Sequence, residues 1–194
     1  MVKKATTKKT VKEKVIKAAF DLAKTRGWEH VTLAEIAEAA GFERLEIHDD
    51  FADKTDILIA YGRLLDRKVL EAVGESASEE SPHERLFDLL MERFDLLNED
   101  RDAIVSILCS FKLAPKEAVI SLPHLGRSMS WMLEAAGVST DGISGAVKVA
   151  GLTGLYLNLL RCWREDKSPD MSKTMAALDR DLGRAERFAA SFLR

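Results

Sequence analysis

Residues 32–51 read Thr32-Leu33-Ala34-Glu35-Ile36-Ala37-Glu38-Ala39-Ala40-Gly41-Phe42-Glu43-Arg44-Leu45-Glu46-Ile47-His48-Asp49-Asp50-Phe51. Thr32 followed three residues later by Glu35 fits a capping box, in which a hydroxyl and a carboxylate satisfy orphan amides at a helix start. A short helix is therefore predicted from Leu33. It stops at Gly41, the residue type that turns a chain between helices at least steric cost. A third helix is predicted over about 43–51, held by Ile47 and Phe51, with Ala34, Ile36, Ala37, Ala40 and Phe42 facing inward. Two short helices joined by a tight Gly turn behind a longer first helix are what a helix-turn-helix requires.

Upstream, Val15, Ala19, Leu22 and Ala23 recur at helical spacing until Gly27, which predicts a first helix over about 11–26. Residues 1–10 are Lys/Thr without apolar periodicity and read as a flexible basic arm. Downstream, a connecting helix within 54–75 carries Ile57, Leu58, Tyr61, Leu65 and Val69 to Gly74, and an acidic polar linker follows over 76–81. Ser81-Pro82-His83-Glu84 combines an N-cap, a first-turn Pro and a Glu at the third position, and opens a larger helical domain over 82–194. Its helices are predicted at about 82–98, 101–113, 115–136 (broken near Pro123), 140–165 and 170–193 (bent near Gly183). The fold class is all-α, with about nine helices: basic arm 1–10, helix-turn-helix head 11–53, connecting helix, and body.

With 29 Lys+Arg against 32 Asp+Glu the formal charge is −3, so any nucleic-acid contact must come from a local patch. The longest uncharged apolar run, Val149 to Leu160, falls short of the roughly 18 residues of a membrane span, and no transmembrane segment or secretory leader is expected. Cys109 and Cys162 lie in apolar helical runs and read as buried thiols of a reducing, cytoplasmic protein. His30, His48, His83 and His124 have no ligand-like spacing, so no catalytic residue, metal site or cofactor is expected, and an enzyme is the weakest class.

The head resembles the TetR family. The likeness rests on Val15-Ile16-Lys17-Ala18-Ala19-Phe20, Arg26-Gly27-Trp28, Val31-Thr32-Leu33, Ile36-Ala37, Ala39-Ala40-Gly41, and Phe51 with Lys54, Ile57 and Leu58 after it. It covers residues 11–60. The resemblance implies a dimeric regulator that places its third helix in the major groove of operator DNA, with Thr32 and Lys54 at positions that touch phosphate. Arg44 and His48 are the third-helix side chains able to donate to DNA, and Lys3, Lys4, Lys8 and Lys9 of the arm are further candidates. The third helix departs from the family's basic pattern: residues 43–50 carry four acids against Arg44. Residues 18–60 carry a net −6, which the +6 of residues 1–17 offsets.

In the body, Phe87, Met91 and Phe94 form one stripe, Leu108 and Phe111 belong to another, and Met129 and Trp131 add soft and aromatic groups. Core packing is sufficient reason for such stripes; the alternative is a pocket for a small apolar ligand or lipid. Gly142, Gly145, Gly151 and Gly154 sit inside one long helix, where each costs about 1 kcal/mol relative to Ala. They suggest a tight helix–helix seam, either internal or, with Met175, Leu178 and Leu182 of the last helix, a homodimer interface. From about residue 85 to 190 the chain is also similar to a TetR-fold family of ubiquinone-biosynthesis accessory proteins that bind isoprenoid lipid without acting as repressors. That likeness rests on Arg26-Gly27-Trp28, the run Ala103 to Leu108, Trp131, and Ser168-Pro169-Asp170 followed by Thr174, Leu178, Asp179, Arg180 and Leu182. Two functions follow: a ligand-responsive DNA-binding regulator, and a lipid-binding accessory protein without operator binding.

Overall fold

The computed structural model describes residues 2–74, 81–113 and 115–192; the expected linker falls almost wholly on 75–80, outside them. The described residues form nine α-helices, one 3-10 turn and no strand. The helices are α1 (Val2–Arg26), α2 (Leu33–Ala40), α3 (Arg44–Ile47), α4 (Lys54–Val73), α5 (Pro82–Glu99), α6 (Arg101–Ser110), α7 (Pro115–Ala135), α8 (Gly142–Glu165) and α9 (Ser172–Phe192), with the 3-10 turn at Trp28–His30. The all-α expectation holds.

Four local expectations are corrected. The segment read as a flexible arm continues α1 back to Val2. No Gly or Pro interrupts it, and extending a nucleated helix costs far less than starting one. The third helix is shorter than predicted, because after Ile47 the chain tightens: His48 N donates to Leu45 O and Asp50 N to Ile47 O, both three residues back. Helix α7 passes through Pro123. Pro123 removes only its own amide from the ladder, and the flanking turns carry the helix through. Cys109 is exposed and Cys162 half-buried, both free thiols. The stripe of α6 turns Ala103, Ile104 and Ile107 inward and leaves position 109 on the other side.

The chain divides into two compact units. The first contains the residues up to Leu64 together with Leu97–His124, so α6 groups with the head rather than with the body that the sequence places from 82 onward. Its core is built on Val15, Ala19, Ile36, Ile47, Phe51 and Ile57, each essentially inaccessible. The second contains Leu65–Leu96 and the residues from Leu125 onward, packed around Leu89, Phe94, Met129, Met132, Leu159 and Trp163. Burying side chains of this size contributes roughly 1.5–3 kcal/mol each.

In the second unit α8 and α9 are joined through one carboxylate. Asp166, 2% exposed, accepts from Thr174 N at 2.8 Å and Thr174 Oγ1 at 2.9 Å, and from both Ser168 N (3.0 Å) and the Ser168 hydroxyl. Thr174 N is one of the amides that the first turn of α9 leaves without an intrahelical partner. Burial alone would raise the Asp166 pKa, but the hydrogen bonds from Ser168 and Thr174 outweigh it and hold the carboxyl well below the usual range. Asp166→Ala is therefore expected to lower stability by roughly 2 kcal/mol in urea melts at neutral pH. Because the folded pKa is depressed, this contribution is present above the unfolded value, about pH 3.9, and is lost as pH falls below it, so the two proteins should converge in acid.

Candidate nucleic-acid interface

The head is assembled as a helix-turn-helix. Gly41 closes α2 at φ 79°, donating to Glu38 O at 3.0 Å while Phe42 N donates to Ala37 O at 2.9 Å. The capping box expected at Thr32 is formed: Glu35 N donates to Thr32 Oγ1 at 3.3 Å, and Thr32 N and Oγ1 each donate to Glu35 Oε2 at 2.8 Å. Arg26 Nη1 donates to Glu35 Oε1 at 2.8 Å, tying the end of α1 to the start of α2. These bonds, led by the Thr32 amide and hydroxyl, hold the Glu35 carboxyl down at about 2. Ile36, Ala37 and Ile47 point into the core as expected, whereas Ala34 is exposed. The opposite side presents Glu43, Arg44, Leu45, Glu46, His48 and Asp49 to solvent.

Two of the four acids of residues 43–50 have partners. Asp50 Oδ1 pairs with Lys12 Nζ of α1 at 3.0 Å, and Glu46 Oε2 accepts the Glu43 amide at 2.7 Å, capping α3. Glu43 and Asp49 are the remaining exposed carboxylates of the segment. Arg44 and His48 are free in space to reach a ligand in front of α3, and Thr32 is exposed but engaged in its cap. Lys54, expected at a position that touches phosphate, is engaged within the head. Its Nζ donates to Trp28 O at 2.8 Å and lies 4.8 Å from the Trp28 ring centroid. The side chains of Lys3, Lys4, Lys8 and Lys9 lie outside the described residues.

Residues 15–61 match the model of the family described as bacterial regulatory proteins, tetR family. The chain carries a TetR-family amino-terminal domain. Over 60 residues it is 37% identical to the HTH-type transcriptional regulator AlkX of Mycobacterium tuberculosis. That match spans 30% of this chain and only 28% of the curated relative. The fold extends the likeness along the chain. A TetR transcriptional regulator from Nitrosomonas europaea superposes with a TM-score of 0.71 at 25% identity, covering 91% of this chain and 98% of the other. The TetR-family repressor FadR of Thermus thermophilus, solved with lauroyl-CoA, shares the fold at a TM-score of 0.56 and 22% identity, covering 91% and 92%.

The body candidates separate. Phe94 and Met129 are fully buried core of the second unit, Phe87 and Met91 are half-buried, and Trp131 is 54% exposed. Leu108 and Phe111, both half-buried, belong to the first unit. Of the interface candidates, Leu178 and Leu182 are buried against their own unit, so they are core rather than outward seam. Gly145 is also internal: a Cβ there would lie 1.9 Å from the Thr140 carbonyl carbon, so this glycine serves the tight entry into α8. Gly142, Gly151 and Gly154 are exposed with open space, and Met175 is 41% exposed. Among the described residues α8 is the one helix long and apolar enough, by length and composition alone, to match a membrane span; 22% of its most apolar window is buried, and its Leu152, Tyr156, Leu159 and Trp163 belong to the core of the second unit.

The second unit also contains a buried charged cluster. Arg93, 3% exposed, pairs through Nη1 with Asp66 of α4 and donates from Nε to Tyr156 Oη at 3.0 Å. Ser128 Oγ donates to the other Asp66 oxygen at 2.6 Å, and the Tyr156 ring stacks on Phe94 with centroids 5.4 Å apart. Burial by itself would lower the Arg93 pKa, but Tyr156 and Asp66 outweigh it and keep the guanidinium charged; burial pushes the Tyr156 phenol up. The signal was legible in principle. Arg93 sits on the same helical stripe as Leu86, Leu89, Leu90 and Leu97, where a solvated charge does not belong. Arg93→Met is expected to cost about 3–5 kcal/mol in denaturant melts by leaving Asp66 uncompensated, and adding Asp66→Leu should restore most of that loss.

Proposed function

We propose that this chain is a TetR-type, ligand-responsive transcriptional regulator that binds operator DNA as a homodimer and works in the cytoplasm. The observation that carries this reading is the intact helix-turn-helix geometry, with α2 and α3 set by the Thr32–Glu35 box and Gly41 and with Arg44 and His48 turned outward. Arg44 suits guanine O6 and N7, and His48 can donate to a phosphate or a base edge. Glu43 and Asp49 oppose the phosphate lattice, so binding should be weak in its nonspecific part and rely on base readout. A ligand would act by preferring one conformation of the body, the only way it can shift such an equilibrium. Phe87 and Met91 are the half-buried groups best suited to touch an apolar or acyl ligand.

The dimer is supported by the outward side of α8. Ile143 (86% exposed), Val147, Gly151, Gly154 and Leu157 fall on one arc of that helix, a greasy strip with small residues at its centre. A two-fold axis across it would pair the strip with itself. Ile143→Glu with Val147→Glu is expected to convert the dimer to monomer in sedimentation at micromolar concentration.

The second reading is a TetR-fold lipid-binding protein without operator binding, favoured by the exposed Glu43 and Asp49 carboxylates on the helix that would face phosphate. A gel-shift on the chain's own upstream region at low salt separates the two. A saturable complex that resists competitor DNA supports the regulator. Its absence, together with isoprenoid or acyl lipid extracted from the purified protein, supports the other. For the regulator, Glu43→Gln with Asp49→Asn should tighten nonspecific binding and steepen its salt dependence; an unchanged slope would show that α3 never approaches phosphate.

A further inference from the structure

The first two turns of α7 are inside out. Val119 is 64% exposed, Ile120 43% and Leu122 41%, and Pro115 and Pro123 are exposed on the same side. At about 100° per residue these positions share roughly half of the helix circumference. The half-buried positions of the same stretch are Glu117, Ala118, Ser121 and His124, with Ser121 Oγ donating to Glu117 O at 2.8 Å. Glu117, Ser121 and His124 thus sit on the sheltered side and Val119, Ile120 and Leu122 on the solvent side, the reverse of an ordinary surface helix. Leu113, in the turn before α7, adds another side chain at 76% exposure. A cluster of this kind is larger than the scattered single hydrophobes of an ordinary surface.

We propose that this face, formed by residues 112–113 and 115–123, docks on an anionic lipid surface. The charge of the patch selects that occupant. Lys112 and Lys116 are exposed beside the apolar groups, and Glu117, the one acid between Phe111 and Gly126, is on the sheltered side, in a chain whose net charge is −3. Short apolar faces flanked by lysine are held at a bilayer by apolar insertion plus attraction of each cation to acidic headgroups. A second copy of the chain fits less well, because a two-fold contact through so short a patch would bring Lys112 and Lys116 toward their own copies. Nucleic acid would satisfy the lysines and leave Leu113, Val119 and Ile120 in water. The inference does not depend on whether the head binds DNA.

The test is flotation of the full chain with phosphatidylcholine vesicles containing about 30 mol% phosphatidylglycerol, against vesicles of phosphatidylcholine alone, at low salt and at about 0.5 M salt. The expected result is binding to the anionic vesicles that weakens with salt. Val119→Ser with Ile120→Ser, and separately Lys112→Glu with Lys116→Glu, should each lower it by roughly tenfold. Lys173→Glu, exposed on α9, should leave it unchanged. All four target side chains of the two double variants are exposed or largely so, and unchanged far-ultraviolet circular dichroism and thermal midpoint would confirm an intact fold. Three results overturn the proposal: no flotation with either vesicle; flotation that survives Val119→Ser with Ile120→Ser but is lost in Lys8→Glu with Lys9→Glu, which would assign it to the amino-terminal lysines; or a change of oligomeric mass in the serine variant without vesicle binding, which would make the face a self-association surface.

Discussion

Trp28 is the side chain on which the amino-terminal unit is built. It is fully buried, its amide donates to Ser106 Oγ of α6 at 3.0 Å, and its carbonyl accepts from Lys54 Nζ, whose charge also lies over the indole ring. One residue therefore ties the end of α1 to the start of α4 and to α6. Gly27 permits this, because the chain enters the 3-10 turn at φ 87°, a conformation that a side chain would resist. With that hub set, the Arg26–Glu35–Thr32 network can hold α2 at a defined angle to α1, and α3 follows through Gly41.

The same economy explains the acidic third helix. Its carboxylates are partly absorbed by local structure: Asp50 by Lys12, Glu46 by the Glu43 amide. Lys12 of α1 thus offsets one acid next to α3 as well as adding basic charge, and Lys14 lies 5.8 Å from the Phe42 ring centroid. What a nucleic acid would meet is the exposed Glu43 and Asp49 carboxylates, one arginine, one histidine and an exposed leucine. Such a face favours selective base contacts over tight nonspecific adhesion.

Helix α8 divides its duties by face. Leu152, Tyr156, Leu159 and Trp163 fill the second unit, while Ile143, Val147, Gly151 and Gly154 look outward. Its buried tyrosine completes the Asp66–Arg93 cluster, which holds α4 at its Asp66 end within that unit. A buried ion pair of this kind adds little net stability compared with apolar packing, but it penalises any arrangement that separates the partners.

Much of the head was legible from residues alone, because its determinants are local. Thr32 with Glu35, and Gly41 after Ala40, act within one turn of chain, and the pattern of Ile36, Ala37, Ile47 and Phe51 follows from helical period. The all-α class and most helix bounds follow for the same reason. Tertiary structure alone decided which partner each polar side chain would take. Lys54 meets the Trp28 carbonyl only because the fold brings the two together, Arg93 needed Asp66 from 27 positions earlier, and Leu178 and Leu182 became core only once α9 lay against its own unit. Sequence spacing specifies a helix and its greasy face through near-neighbour geometry, whereas the identity of what meets that face is set by contacts between residues far apart in the chain, which no local pattern encodes.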